Sequence, residues 1–155
     1  GERFRLMWDN IAIWHGLYRF FSLFSKRGAA FVVDTYTGGW AGAVAQGDLI
    51  ESLARTYTQV FLNQSLEFRA RQMAALAAEY RLDGFVMHSN RSCKPYSLIQ
   101  EELRRRVTEE TGLPGLVVES DMTDERVHAE GPVRSRVEAF LERLEASPSA
   151  RNLTN

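Results

Sequence analysis

Four short apolar runs alternate with amphipathic segments along this chain, and this alternation limits its fold more than any other feature. The runs occupy residues 4–8, 29–34, 85–88 and 116–118. Short apolar runs bounded by turn residues are typical of buried strands. Between them, apolar residues recur every three or four positions, which indicates helices that bury one face. The pattern β-α-β-α-α-β-α-β-α predicts a parallel sheet with helices on both faces.

Turn and capping residues set the expected bounds of the helices. Gly28 ends a helix over about residues 13–26, and Asp48 begins the next one. Gly112 ends the helix that follows the third strand, at about Thr111. The side chains expected on the buried helix faces are Trp14, Leu17, Tyr18, Phe21, Phe24, Leu49, Leu53, Tyr57, Val60 or Phe61, Leu66, Met73, Leu76, Ala77, Tyr80, Ile99, Leu103, Val107, Val133, Val137, Phe140, Leu141 and Leu144.

The expected strand order is 2-1-3-4, which makes this a flavodoxin-like α/β domain of three layers with a four-stranded parallel sheet. In that order strand 2 lies on one side of strand 1, and strands 3 and 4 lie on the other side. The gap between strands 1 and 3 is therefore the point at which successive strands begin to be added in the opposite direction. Ligands of such sheets bind beyond the carboxyl ends of the strands at this switch point. Two loops meet there, residues 9–13 and residues 89–93. The sequence therefore predicts a binding crevice formed by these two loops.

Length and composition fit one soluble globular domain. The chain has 155 residues, 45% hydrophobic and 25% charged, which is enough for a sizeable core. Its net charge of -1 gives no general attraction to nucleic acid or to an anionic membrane. A single cysteine excludes an internal disulfide and favours a reducing, cytoplasmic location. We expect one domain over residues 1–146 and a polar tail over residues 147–155.

The single cysteine, Cys93, lies between the third strand and a helix expected to start near Leu98. Backbone N–H groups and the dipole at a helix N-terminus favour negative charge. This setting suits a thiolate, which can act as a nucleophile or as a metal ligand. The polar neighbours of the cysteine argue against a purely structural, buried role.

Each chemistry open to Cys93 needs partners that the sequence does not place beside it. A phosphate-binding cysteine loop needs an arginine six positions later, where Ile99 stands. A zinc site needs further ligands, but His15, His88 and His128 show no ligand spacing. A nucleophile needs a base, and the neighbouring histidine has no direction fixed by the sequence. An iron–sulfur cluster takes three or four protein ligands, so one cysteine would share it with another part of the protein.

Other polar residues at the strand ends are weaker candidates. Asp9 and Asn10 lie at the expected switch point, where either a site role or turn chemistry would place them. Glu119 and Asp121 follow strand 4, where salt bridges are expected. The three arginines at residues 104–106 indicate a solvated helix face or a contact with another domain or subunit.

Residues 88–97 (HSNRSCKPYS) resemble the signature of the 2-hydroxyacyl-CoA dehydratase family, which includes the subunits of ATP-dependent benzoyl-CoA reductases. The resemblance covers nearly the whole chain, through residues 5–10, 34–37, 112–114, 119–122 and 134–140. Subunits of this family are longer, and the matching part is their C-terminal domain. The chain also starts at Gly1 with its first methionine, Met7, inside an expected strand, which predicts a piece of a longer protein.

The resemblance implies a heterodimer of two related subunits, each with a [4Fe-4S] cluster whose cysteine ligands come from different domains. It implies that Cys93 is one ligand and that Ser89, Asn90, Arg91 and Ser92 form the loop around the cluster. It further implies an ATP-dependent activator that injects one electron. The dehydratases then eliminate water from an (R)-2-hydroxyacyl-CoA through a ketyl radical. The reductases use the same kind of electron injection to reduce an aromatic ring.

The other ligand cysteines are absent from this chain, so we expect neither cluster nor activity in it alone; the full subunit would be the enzyme, a lyase. Two further functions stay open. One is a cluster-free binding or assembly domain of the same fold. The other is a small flavodoxin-like module that uses Cys93 as a redox thiol.

Overall fold

The computed structural model describes residues 1–38 and 47–146, which form a sheet between two layers of helices. The strands are β1 (Phe4–Asp9), β2 (Ala29–Asp34), β3 (Gly84–Asn90) and β4 (Gly115–Ser120). Their order is β2-β1-β3-β4, and each neighbouring pair is parallel. The predicted α/β class and strand order are therefore confirmed. The expected polar tail lies outside the described residues.

Helices cover both faces of the sheet. In chain order they are α1 (Leu17–Ser25), α2 (Thr35–Gly38), α3 (Leu49–Thr58), α4 (Leu66–Glu79), α5 (Lys94–Ser97), α6 (Gln100–Thr111) and α7 (Glu130–Ala146). Buried residues of α1 and α7 pack on one face of the sheet, and those of α4 and α6 pack on the other. Right-handed crossovers between parallel strands place helices on both faces in this way.

Alternation along the strands divides the core into two clusters. Trp8 and Val86 belong to the α1/α7 cluster, whereas Met7 and Met87 belong to the α4/α6 cluster. Successive strand residues point to opposite faces, so this alternation assigns each polar residue at a strand end to one layer. Cys93 packs against the α4/α6 cluster.

The first helix differs from its prediction. It starts at Leu17, after a short 3-10 turn, and it buries Phe20 and Phe24. Trp14 and Tyr18, expected in the core, are 51% and 88% exposed. The segment carries so many aromatic residues that more than one helical stripe is apolar, and periodicity alone does not select the stripe that meets the sheet.

The third helix also differs from its prediction. Leu49 and Tyr57, expected in the core, are exposed, and the buried residue of α3 is Ser52. Val60 and Phe61, expected at the end of this face, are buried as predicted, although they lie after the helix. Its N-terminus matches the prediction, because the Asp48 carboxylate accepts hydrogen bonds from two backbone N–H groups of the first turn.

The segment around Cys93 differs from its prediction in two respects. Strand β3 continues to Asn90, since Ser89 and Asn90 pair with the last residues of β4. The long helix α6 starts at Gln100, and the single turn α5 precedes it. Cys93 is therefore the N-cap of a four-residue turn and not of the long helix. The expected dipole of a long helix does not act at the thiol, because that effect needs several aligned peptide units.

Candidate functional site

The predicted site residues come together at the carboxyl end of β3, beside the switch point between β1 and β3. Backbone hydrogen bonds fix the turn: Arg91 N–H donates to the Ser120 carbonyl at 3.0 Å, and Cys93 N–H donates to the Asn90 carbonyl at 3.1 Å. The Cys93 side chain is half-buried. A half-buried thiol on a turn fixed at both ends is held in place without being closed off from a ligand.

Asn90 joins the two loops that follow β3 and β4. Its side chain is buried, and its Oδ1 accepts hydrogen bonds from the N–H groups of Ser92, at 3.2 Å, and Met122, at 3.3 Å. Its carbonyl also accepts the hydroxyl of Ser97 at 2.6 Å. Within the described residues, the Asn90 amide nitrogen has no hydrogen-bond partner. Asn90 thus stabilises the turn, and within the described residues its amide nitrogen remains a hydrogen-bond donor without an acceptor.

Arg91 and Ser92 are directed to the end of β4 and not to the thiol. The Arg91 guanidinium pairs with Glu119, with Nε 2.6 Å from Oε1, so the salt bridge expected at Glu119 is present. The Ser92 hydroxyl donates to the carboxylate of Asp121. Because that hydroxyl has only one proton, it is not donated toward Cys93 in this arrangement.

Asp121 is held by hydrogen bonds, not by the salt bridge expected at this position. Its carboxylate accepts the Ser92 hydroxyl and the N–H groups of Thr123 and Asp124, both at 2.9 Å. These donors, the Ser92 hydroxyl first, hold the pKa of Asp121 well below its usual range. The ionised carboxylate therefore organises the loop after β4.

A buried carboxylate lies at the end of β1. Asp9 is fully buried; its Oδ1 accepts the Thr35 hydroxyl at 2.6 Å, and its Oδ2 accepts the Gln100 amide at 3.3 Å. Burial raises the pKa of Asp9, while these hydrogen bonds and the charge of Arg69 act in the opposite direction. Asn10 beside it donates from its amide to the His88 carbonyl at 2.7 Å. Both weaker candidates therefore lie at the switch point, as predicted.

Arg69 of α4 was not predicted as a site residue, yet its side chain is only 1% exposed. Its guanidinium carbon lies 4.8 Å from the centre of the Phe61 ring and 5.0 Å from that of Tyr96. Burial lowers the pKa of Arg69, while the nearby Asp9, Tyr96 and Cys93, in that order, act in the opposite direction. Within the described residues, Nε and Nη2 of this arginine have no acceptor. A sequence signal was present, because Arg69 occupies the helical stripe that continues through Met73 and Ala77.

His88 is not a base for Cys93. Its ring is buried, and its Nδ1 lies 2.7 Å from the Ile11 carbonyl. Burial lowers the pKa of His88, which keeps the ring neutral. It follows Met87 by one position in β3, so it faces the α1/α7 layer, whereas Cys93 packs on the α4/α6 side. His88 therefore does not support the interpretation of Cys93 as a nucleophile, for which it was the neighbouring base in the sequence.

The remaining charged and metal-binding candidates have partners other than the thiol. The arginines at 104–106 all pair with glutamates, on α6 and, for Arg106, also with Glu67 of α4. His15 and His128 lie 5.6 Å apart between ring centres. Across the described ranges, no group of three or more His, Cys, Asp or Glu side chains is arranged to hold a metal ion. The helices described here include none that is long and apolar enough to cross a bilayer.

Comparisons with known proteins agree with the signature around Cys93. The family described as 2-hydroxyglutaryl-CoA dehydratase, D-component, matches residues 1–144. The alpha subunit of (R)-2-hydroxyisocaproyl-CoA dehydratase from Clostridioides difficile is 31% identical over 144 residues, which are 93% of this chain and 35% of that subunit. The alpha subunit of lactoyl-CoA dehydratase from Anaerotignum propionicum is 29% identical over 150 residues, 96% of this chain and 36% of that subunit.

A relative with a different name also aligns with the chain. One of the subunits of benzoyl-CoA reductase from Thauera aromatica is 27% identical over 158 residues, covering 98% of this chain and 36% of its own length. The chain spans about a third of the length of the curated relatives it matches. Because the family match covers nearly all of the chain, this protein belongs to the 2-hydroxyglutaryl-CoA dehydratase, D-component, family.

Proposed function

We propose that this chain is the C-terminal part of a 2-hydroxyacyl-CoA dehydratase subunit in which Cys93 is one ligand of a [4Fe-4S] cluster. The observation that carries the proposal is the half-buried thiol of Cys93 on a fixed turn beside the switch point. The family match over residues 1–144 and the relatives named as dehydratase alpha subunits support it.

The residues around the thiol are suited to form one side of a binding site for a [4Fe-4S] cluster. Cys93 provides a single thiolate, and the other ligands would come from parts of the full-length protein outside the described residues, since those contain no three-residue metal group. The unpartnered nitrogens of Arg69 and the amide nitrogen of Asn90 provide positive charge and a donor for an anionic group. A bound [4Fe-4S] cluster would supply one-electron transfer.

The roles of the chain's own residues are binding, orientation and exclusion of water. Asn90 and Ser97 fix the turn through the 2.6 Å bond between the Ser97 hydroxyl and the Asn90 carbonyl. Phe61 and Tyr96, whose ring centres lie 6.3 Å apart, close the α4/α6 side of the site with apolar surface. A dry, fixed environment strengthens electrostatic interactions with any charge that Cys93 holds.

In this proposal the full subunit pairs with a related second subunit. An ATP-dependent activator would deliver one electron, and the complex would eliminate water from an (R)-2-hydroxyacyl-CoA to give a 2-enoyl-CoA. Because this elimination is redox-neutral, the electron would return to the protein when the product forms. A second candidate is ring reduction of an aromatic acyl-CoA, which the 27% identity to a benzoyl-CoA reductase subunit favours. The relatives named as dehydratase subunits make dehydration the first candidate.

The test is an anaerobic assay of the full-length subunit with its partner and a low-potential one-electron donor. The substrates are lactoyl-CoA, 2-hydroxyisocaproyl-CoA, 2-hydroxyglutaryl-CoA, phenyllactyl-CoA and benzoyl-CoA. We expect formation of the 2-enoyl-CoA from at least one hydroxyacyl-CoA, and loss of that activity after removal of iron with a chelator. Consumption of benzoyl-CoA alone would favour the reductase, and an iron-free complex with no turnover would indicate a cluster-free binding domain.

A further inference from the structure

We propose that Arg69 is a buried positioning residue whose guanidinium stabilises negative charge held at Cys93, including the electron added when the site is reduced. This inference rests on the proposed function, because it assigns the charge at Cys93 to a thiolate-bound cluster. It concerns a residue of α4, far in sequence from the cysteine turn and outside its signature.

The first support is the incomplete hydrogen bonding of a buried cation, which Asp9 attracts without accepting a hydrogen bond from it. The side chain of Arg69 is 1% exposed, and two of its nitrogens have no acceptor within the described residues. A buried charge is costly unless it is paired and hydrogen-bonded. The ring faces of Phe61 and Tyr96, at 4.8 and 5.0 Å, attract a cation, but they satisfy no N–H group.

The second support comes from the groups that face the guanidinium. The carboxylate of Asp9 receives its hydrogen bonds from Thr35 and Gln100, and Arg69 is not among its donors. Burial raises the pKa of Tyr96, so the phenol is neutral at physiological pH. Asp9 contributes most to the attraction of the arginine charge, and Cys93 is the other group near the guanidinium that can carry a negative charge at physiological pH when it holds a metal. Cys93 packs against the same cluster as both rings.

The position of the Arg69 guanidinium would affect the reduction potential of a cluster bound at Cys93. Uptake of one electron makes a thiolate-bound cluster more negative, and a fixed cation nearby favours that state. Because the guanidinium is buried, solvent and salt screen this attraction less than they would at the protein surface. Charge and burial around a cluster are among the factors that set its reduction potential. Arg69 would therefore make the site easier to reduce by its low-potential donor.

The test is a reductive titration of the full-length protein, purified anaerobically and followed by electron paramagnetic resonance, with the variants Arg69→Gln and Arg69→Lys. We expect Arg69→Gln to lower the equilibrium constant for one-electron reduction at least tenfold, a shift of about 59 mV to more negative potential. We expect Arg69→Lys, which keeps the charge, to shift less. The matched control is Arg71→Gln, an exposed arginine of the same helix, with no shift expected.

The outcomes separate this inference from the proposed function. Wild-type protein without iron would overturn both. A cluster that is present and whose potential is the same in Arg69→Gln and wild type would overturn only the role of Arg69. If Arg69→Gln does not fold, the structure of the full-length, cluster-loaded protein decides. Guanidinium nitrogens donating to a cluster sulfide or the Cys93 sulfur support the inference, and a carboxylate from another domain in ion-pair contact with them contradicts it.

Discussion

Asp121 shows how one carboxylate can organise the loop beside the candidate site. It is buried and accepts the Ser92 hydroxyl and two backbone N–H groups. Those bonds lower its pKa in the folded state relative to the unfolded chain. The resulting stabilisation is complete above the ordinary pKa of 3.8, and it is lost as the pH falls through the lower, folded-state pKa.

We therefore expect Asp121→Asn to destabilise the protein by about 1–3 kcal/mol at pH 7, the cost of losing hydrogen bonds to a buried charged group. The free energy of unfolding, measured in urea at pH 7 and at pH 3, should show a smaller difference at pH 3. Glu119→Gln is the control, because its ion pair with Arg91 is exposed, and it should cost no more than about 1 kcal/mol. An equal cost for Asp121→Asn at both pH values would contradict the assigned role.

The sequence predicted the position of Cys93 but not the buried arginine, Arg69, that lies over the ring of Tyr96 in the same layer. The cysteine was found because strand order and the polar turn both pointed to the switch point. Arg69 was not found, because arginine on an amphipathic helix is normally assigned to solvent. Its burial depends on Phe61 and Tyr96, which reach the same place from other parts of the chain. Contacts between residues from such distant parts of the chain form only in the tertiary structure, and helical periodicity does not predict them.

The packing of β4 against β3 and α6 depends on a glycine at the start of the strand. A Cβ at Gly115 would overlap the ring of Phe85 and lie 2.9 Å from Cγ of Arg104. A Cβ at Gly131, in the first turn of α7, would meet no atom within 4 Å. Both positions have ordinary backbone angles for an L-residue, so the two differ in packing and not in backbone strain.

We expect Gly115→Ala to destabilise the protein by about 1–3 kcal/mol, because the added methyl group overpacks the junction of strand and helix. The matched substitution Gly131→Ala should be neutral or stabilising by up to about 1 kcal/mol, since alanine costs less chain entropy in a helix. Urea unfolding of the two variants beside wild type measures both effects. A Gly115→Ala variant as stable as Gly131→Ala would contradict the close approach of β4 to Phe85.

The strand pairs and the helix order were predictable, but several element ends were not. Ser89 and Asn90 are polar, and nothing in their pattern predicts that β3 continues through them. They are in the strand because β4 supplies hydrogen-bonding partners as far as Ser120. The split between α5 and α6 likewise appears only in the structure, where the Ser97 hydroxyl returns to the Asn90 carbonyl.

At the scale of the molecule, alternation and handedness were sufficient to predict the sheet. Right-handed crossovers leave few orders for four parallel strands, and the order β2-β1-β3-β4 was one of them. The same order brings Asp9 of β1 and the cysteine turn after β3 to one edge of the sheet. Proximity of these groups was thus predictable, whereas their hydrogen bonds depend on side-chain packing that the pattern does not specify.

The central claim is that Cys93 ligates an iron–sulfur cluster in the full-length protein. We expect anaerobically purified wild-type protein to contain iron and sulfide and to show broad visible absorbance from thiolate-to-iron charge transfer. The Cys93→Ser variant should lose most of its iron, sulfide and visible absorbance, while its far-ultraviolet circular dichroism stays unchanged. The control Leu98→Ala, at an exposed position of the same segment, should keep all three. Iron content and absorbance in Cys93→Ser equal to those of wild type would contradict the claim.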